Sequence, residues 1–340
     1  MMKREVYRVV KPGSISGLVR REEELQPPNA EEVTVHLRAI GLNFADVFSI
    51  FGLYSATPKE PFIPGLEYAG VIIAVGKDVK NYKEGDKIYG TTRFGAYVSH
   101  LNIHTDTIFP LPNDWSFAEG AAFPVQALTA YYALIPLGNI QKSQTILIHS
   151  AAGGVGLLAN QIAKKWNAYT IGMIGNESKI PILKNAGYDD YILRSASFRK
   201  DLERILHGNR LDLVLECTGG HYFHDSYEAL SPMGRLITYG SAVFTPTSSK
   251  RNWLRVAYQY LIRPKIDPLA MISDNKSVMG FNLIWLWNEI ETLKKHFEAL
   301  RDLNLSPQVI GDTFSFENLI DGVEKFQKGN TFGKIIINVP

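Results

Sequence analysis

Ser150-Ala151-Ala152-Gly153-Gly154-Val155-Gly156 is the stretch on which the reading of this chain turns. An apolar run, residues 146–149, leads into it, and a helix-like stretch, residues 157–166, leads out. A strand, a glycine turn and a helix in that order let a pyrophosphate rest on backbone N–H groups at a helix N-terminus. The turn has to be glycine-rich, because side chains there would hold the phosphates off the backbone. The pattern predicts a dinucleotide cradle made by Ala152, Gly153, Gly154, Val155 and Gly156.

Beyond this loop, apolar runs at 169–173, 191–193, 211–215 and 235–239 alternate with helical stretches. Runs buried on both faces and separated by helices describe a parallel, doubly wound sheet. An NAD site places an acid at the tip of the second strand, about 20 residues on, where it accepts hydrogen bonds from the ribose. Here the tip reads Ile174-Gly175-Asn176, with no carboxylate, and Lys179 and Arg194 follow it. Two cations and a missing acid suit a 2′-phosphate. NADPH is therefore the expected cofactor, with Gly175, Asn176, Lys179 and Arg194 beside it; Glu177 is the neighbour that a turn of the chain could aim at the ribose instead.

Upstream of residue 120 the texture differs. Val33, Val35, Leu37 and Ala39 alternate with Thr34, His36 and Arg38, the period-two pattern of a strand. A second apolar run, 71–75, stops at Gly76, and Pro58, Pro61, Pro64, Pro110 and Pro112 punctuate the region. This predicts a β-rich domain of short strands. At 340 residues the chain accommodates two domains, each able to bury a core. They are expected at 1–120, completed by 278–340, and at 121–277. The end of the chain reads as a charged helix, 289–300, and a final strand, 334–339.

Composition narrows the function classes. Net charge is +2, with acids and bases interleaved, so no nucleic-acid partner is expected. A single cysteine, Cys217, rules out an intrachain disulfide. The N-terminal residues lack the apolar core of a signal peptide, and no apolar run reaches the roughly 18 residues of a spanning helix. A cytoplasmic protein is expected, touching membranes at most peripherally. Residues 250–265 stand apart: Lys250, Arg251, Arg255, Arg263 and Lys265 occur without an acid, and Trp253, Val256, Ala257, Tyr260 and Leu261 recur at helical spacing. This reads as a basic amphipathic helix, either covering a cleft or dimer seam or meeting anionic lipid or a partner.

Several further motifs align in order along nearly the whole chain: Gly41-Leu42-Asn43-Phe44-Ala45-Asp46, Gly52-Leu53-Tyr54, Pro64-Gly65-Leu66-Glu67-Tyr68-Ala69-Gly70 and Val75-Gly76. Ala127-Leu128-Thr129-Ala130, the loop at 151–156, Gly234-Arg235-Leu236, Gly240-Ser241 and Gly333-Lys334 continue the series. Together they resemble the quinone oxidoreductases of the medium-chain dehydrogenase/reductase superfamily. Asp267-Pro268 and the run from Asn275 to Leu283 are similar to the synaptic-vesicle membrane protein branch. The resemblance implies an α/β protein with a GroES-like β-barrel catalytic domain and a Rossmann domain, commonly a homodimer. It also implies active-site roles for Asn43, Asp46 and Tyr54, and places Thr129 and Gly240 at the cofactor. Two positions depart from relatives: Ile50 where an arginine is common, and Phe48 where some carry tyrosine.

The zinc-dependent alcohol dehydrogenases of the superfamily hold their metal through cysteine and the histidine of a Gly-His-Glu triplet; here the triplet is Gly65-Leu66-Glu67. His100 with His104, and His221 with His224, have ligand-like spacing but no evident third ligand, so no metal is expected. Without a Lewis acid the acceptor must already be electrophilic, as a quinone or an α,β-unsaturated carbonyl is. Tyr54 O–H and Asn43 Nδ2 are the candidate donors to its oxygen, and Asp46 is read as orienting a neighbour or capping a helix. The rival expectation is a nucleotide-binding interaction protein, peripheral at membranes, with little catalysis.

Overall fold

The computed structural model describes residues 2–340, which divide into two compact units. Seven strands come first: β1 (Met2–Val9), β2 (Leu18–Leu25), β3 (Glu32–Gly41), β4 (Glu67–Val75), β5 (Lys87–Thr91), β6 (His100–His104) and β7 (Ile108–Pro110). Six more follow: β8 (Thr145–Ile148), β9 (Tyr169–Ile174), β10 (Asp190–Leu193), β11 (Leu213–Glu216), β12 (Arg235–Thr238) and β13 (Ser277–Gly280). The last two are β14 (Ile310–Ser315) and β15 (Lys334–Asn338).

One unit comprises residues 2–125, Pro246–Asn252 and Pro307–Pro340. Its main sheet runs β14-β15-β3-β4-β5-β7, with β6 also pairing β3, and β1 and β2 form a separate antiparallel pair. The alternation in β3 is realised in part: Thr34 is buried at 3%, although His36 and Arg38 on its face are more open, and Val33, Val35, Leu37 and Ala39 opposite are 1% exposed or less. Burying such a side chain contributes roughly 1.5–3 kcal/mol, so this face fixes the register of the strand. The C-terminal strand β15 is interior, parallel to β14 and antiparallel to β3. Residues 246–252 belong here because Ile15 N–H donates to Ser249 O and Arg251 N–H to Gly13 O. The Arg251 guanidinium also donates to Phe51 O at 2.7 Å.

The other unit, Gln126–Thr245 and Trp253–Ser306, is built on an all-parallel sheet ordered β10-β9-β8-β11-β12-β13. Strand order reverses between β8 and β11, the switch point at which doubly wound sheets bind ligands. Ile146, Leu147, Ile148, Val214, Leu215, Leu236 and Ile237 have no exposed surface, as strands covered on both faces require. The sequence reading gives 278–306 to the first domain; the structure puts them in the second. There β13 extends the sheet by pairing β12 from Arg235↔Ser277 to Thr238↔Gly280. Its four residues are too short and too little alternating to announce a strand. The basic amphipathic segment forms a helix over Trp253–Leu261. Neither that helix nor the following one, Pro268–Asp274, contains a buried residue. Among the described residues no helix is long and apolar enough to cross a membrane.

Candidate functional site

The glycine loop sits at the C-terminal end of β8. Ser150 opens it in the left-handed region at φ +51, Gly153 N–H closes it on Ser150 O at 2.8 Å, and a helix begins at Gly154 and runs to Lys165. The third glycine serves packing: a Cβ on Gly156 would stand 2.6 Å from Ala151 O and 2.7 Å from Ala151 Cα. Tyr188 O–H braces the same turn by donating to Gly156 O at 2.7 Å. Ala152 is buried, whereas Gly153, Gly154 and Val155 are partly open. Such a loop offers backbone N–H groups and a helix N-terminus to an anion.

At the tip of β9 the two expected cations converge. Arg194 N–H donates to Ile174 O at 2.8 Å, and its guanidinium lies against Gly175, where any side chain would collide with it. Lys179 is close enough to Arg194 that, after burial, Arg194 is the second force pulling its ammonium below the usual lysine range. Two like charges where a ribose-binding acid would stand are an arrangement that suits an anion. Glu177 lies in the short turn ahead of Lys179 and is exposed. Gly240, in the loop after β12, backs onto Cys217, whose Cβ would be 3.2 Å from an added side chain.

In the other unit a buried polar frame surrounds Asn43. Asn43 Nδ2 donates to Glu67 Oε1 at 3.0 Å and to Gly41 O at 3.2 Å, while Lys334 Nζ donates to Asn43 Oδ1 at 3.0 Å. Both amide hydrogens are thus engaged inside the frame, so Asn43 positions its loop rather than presenting Nδ2 to an acceptor. Lys334 also pairs directly with Glu67, the two side chains 3% and 0% exposed. Glu67 Oε2 accepts the Val125 N–H at 2.9 Å, in the first turn of the helix Pro124–Tyr132, which carries the buried Thr129. Burial pulls the Lys334 ammonium below its usual range, against the attraction of Glu67.

Asp46 is wholly buried. One carboxylate oxygen accepts the Asn43 N–H at 2.8 Å and the Tyr97 hydroxyl at 3.0 Å, and the other accepts Gly65 N–H at 3.2 Å. It ties the start of the helix Phe44–Ile50 to the turn before β4, and burial pushes its pKa up to about 7. Tyr54 is half-buried, in a turn pinned where Thr57 N–H and hydroxyl donate to its carbonyl at 3.0 and 2.7 Å. Ile50 points into the core with no exposed surface.

Sequence reasoning named no role for Glu67 or Lys334, although both lie inside the quoted motifs; a charged residue amid apolar neighbours was the available signal. It also passed over His149 and Glu216, at the ends of β8 and β11, which are 0% and 1% exposed. As to metal, Leu66 is buried where a histidine ligand would stand. His100 stacks on His36, ring centroids 4.4 Å apart, and His224 is exposed beside Asp225 and Glu228. Among the described residues no group of three or more His, Cys, Asp or Glu side chains is arranged to hold a metal ion.

Residues 29–113 match the alcohol dehydrogenase GroES-like domain, and residues 154–295 match the family described as zinc-binding dehydrogenase. The synaptic vesicle membrane protein VAT-1 homolog of Danio rerio is 36% identical over 310 residues, covering 90% of this chain and 64% of its own length. The Homo sapiens homolog is 32% identical over 314 residues, covering 91% of this chain and 79% of itself. This chain therefore spans just under two thirds of the zebrafish relative. Among solved structures, a quinone oxidoreductase of Pseudomonas syringae pv. tomato DC3000 superposes with a TM-score of 0.82 at 27% identity, covering 98% of this chain and 99% of its own. The CurK enoyl reductase does so with a TM-score of 0.82 at 26% identity, covering 99% of each chain. The chain belongs to the medium-chain dehydrogenase/reductase superfamily of oxidoreductases, in its quinone oxidoreductase-like, VAT-1 branch.

Proposed function

We propose that this protein is an NADPH-dependent reductase that passes hydride to a quinone or an α,β-unsaturated carbonyl without a metal ion. The observation that carries the reading is the pairing of the glycine loop with Arg194 and Lys179 at an acid-free strand tip, where Gly175 leaves room for the guanidinium. When bound, NADPH supplies the hydride. The loop at 152–156 holds its pyrophosphate on N–H groups, and Arg194 and Lys179 hold the 2′-phosphate. The donor set for a catalytic zinc does not fit: Leu66 replaces the histidine, the chain has one cysteine, and Glu67 is already committed to Lys334 and Val125. An acceptor polarised by its own conjugation needs only a hydrogen-bond donor at the oxygen where charge develops. With Asn43 engaged in its frame, that donor is the Tyr54 hydroxyl. A quinone oxidoreductase and an enoyl reductase among the structural neighbours support this acceptor class.

Calorimetric titration tests the cofactor choice. A charge-assisted hydrogen bond contributes roughly 1.5–3 kcal/mol, so NADPH should bind at least about tenfold more tightly than NADH. Arg194→Ala with Lys179→Ala should erase the difference; equal affinities in the unaltered protein would overturn the assignment.

One observation favours a second reading, a nucleotide-binding protein resting on membranes. Trp253, Leu254, Leu261, Leu269 and Ile272 are each more than 60% exposed, with Arg263 and Lys265 between them. Apolar faces flanked by cations suit an anionic bilayer surface. Sedimentation with vesicles containing phosphatidylserine tests it, and no sedimentation would remove it.

A further inference from the structure

The chemistry proposed above does not use the buried pair at the switch point of the parallel sheet. Glu216 ends β11 with 1% exposure. Its Oε1 accepts the N–H groups of Thr218 at 2.7 Å and Gly219 at 2.5 Å, and its Oε2 accepts the Thr238 hydroxyl at 2.9 Å. His149, the last residue before the glycine loop, stands with Nδ1 3.5 Å from Glu216 Oε1 and Nε2 3.0 Å from Ser226 Oγ. Burial raises the Glu216 pKa, but His149, the Gly219 N–H and the Thr238 hydroxyl outweigh it, and the carboxyl stays below its usual range. A buried carboxylate this fully bonded is a fixed anchor.

What it anchors is specific. The loops leaving β11 and β12 are knitted together: Tyr239 N–H donates to Glu216 O, Ala242 N–H to Cys217 O and Val243 N–H to Thr218 O, at 3.0, 2.9 and 3.0 Å. Gly219 and Gly220 take φ of +81 and +62, and a Cβ on Gly219 would meet Ser241 Oγ at 2.6 Å, so the loops touch through glycine. The Thr218 hydroxyl is buried and has no hydrogen-bond partner among the described residues. A dinucleotide straddles the point where strand order reverses. With its 2′-phosphate at β9 and its pyrophosphate after β8, as proposed above, the remaining half would lie toward β11 and β12.

We propose that Glu216 is a positioning residue for the nicotinamide half of the cofactor, acting through the loops at 217–220 and 238–243. The inference rests on the NADPH reading. His149 stands between this anchor and the pyrophosphate loop, its Nδ1 buried beside Glu216 without a hydrogen bond of its own.

The test compares two ligands on one protein: NADPH, and adenosine 2′,5′-bisphosphate, which carries only the half seated at Arg194, Lys179 and the glycine loop. In E216Q, calorimetry should find the bisphosphate affinity within about twofold of the unaltered protein and NADPH weakened by about tenfold, the equivalent of one charge-assisted bond. Thr238→Val, which removes one donor and leaves the carboxylate, should weaken NADPH selectively but less; it carries the test alone if E216Q does not fold. Unchanged NADPH binding, or equal loss of both ligands, would overturn the positioning role. If the unaltered protein bound neither, the NADPH reading would fall and take this inference with it; if it bound both and E216Q lost neither, only the inference would fall.

Discussion

Replacing Glu67 by glutamine keeps the shape of the side chain and removes one charge from a pair that has no access to water. Glu67 and Lys334 are 0% and 3% exposed, so no solvent can take over the ammonium. Its remaining acceptors are Asn43 Oδ1 at 3.0 Å and, in one orientation of the glutamine, a neutral amide oxygen in place of the carboxylate. One glutamine position becomes an NH2 facing either the Asn43 amide or the Val125 N–H, both donors, so one further bond is lost. Breaking one side of a buried pair costs about 3–5 kcal/mol, a large fraction of the 5–15 kcal/mol that holds a typical domain. Urea unfolding followed by circular dichroism reads it as a lower midpoint. The deficit should shrink as pH rises. Lys334 is already held below its usual range and falls further without Glu67. A base depressed in the folded state contributes least when protonated, and the penalty lifts as both states lose the proton. The double variant Glu67→Gln with Lys334→Met removes the stranded charge and should recover about half the loss. A cost below about 1 kcal/mol, or a double variant no more stable than the single, would refute the reasoning.

Two other perturbations separate frame from chemistry. The Asp46 pKa is raised to about 7 by burial, so the folded protein binds a proton that the unfolded chain releases near pH 4. Asp46 should therefore contribute stability below pH ~4 that is lost as pH rises through about 7, and Asp46→Asn should flatten that part of the profile; a stability difference between the two proteins constant over this window would count against it. Tyr54→Phe deletes a donor and keeps the ring. It should lower kcat by about tenfold or more, toward the 10²–10³ seen where one oxyanion donor dominates, with NADPH affinity unchanged; steady-state kinetics showing equal kcat/KM would free Tyr54 of the role.

The features legible in the sequence are those whose cause is local. A glycine triplet between an apolar strand and a helix states its geometry within a dozen residues, and the alternation from Val33 to Ala39 states which face of β3 is buried. The missing acid at Gly175 was equally readable, though not the packing of Arg194 over it. Long-range pairing was hidden. Lys334 and Glu67 are 267 positions apart, and nothing near either residue says that β15 runs beside β3. The duty of Asn43 as a donor to the acceptor oxygen is not what its surroundings favour, because the acceptors that take its amide hydrogens lie on the backbone at Gly41 and across the sheet at Glu67. The charge pattern alone assigns Arg251 to the basic helix, but its guanidinium donates to Phe51 O and the helix starts at Trp253. Glu216 could be seen only as an acid at the end of an apolar strand.

Metal-free reduction by NADPH is tested by turnover of the unaltered, chelator-treated protein, followed by NADPH absorbance with a panel of quinones and enones. NADPH should be consumed above background with at least one of them, more slowly with NADH in its place, and chelation should leave the rate unchanged. No consumption with any acceptor, or activity lost to the chelator and restored by zinc, would contradict metal-free reduction by NADPH.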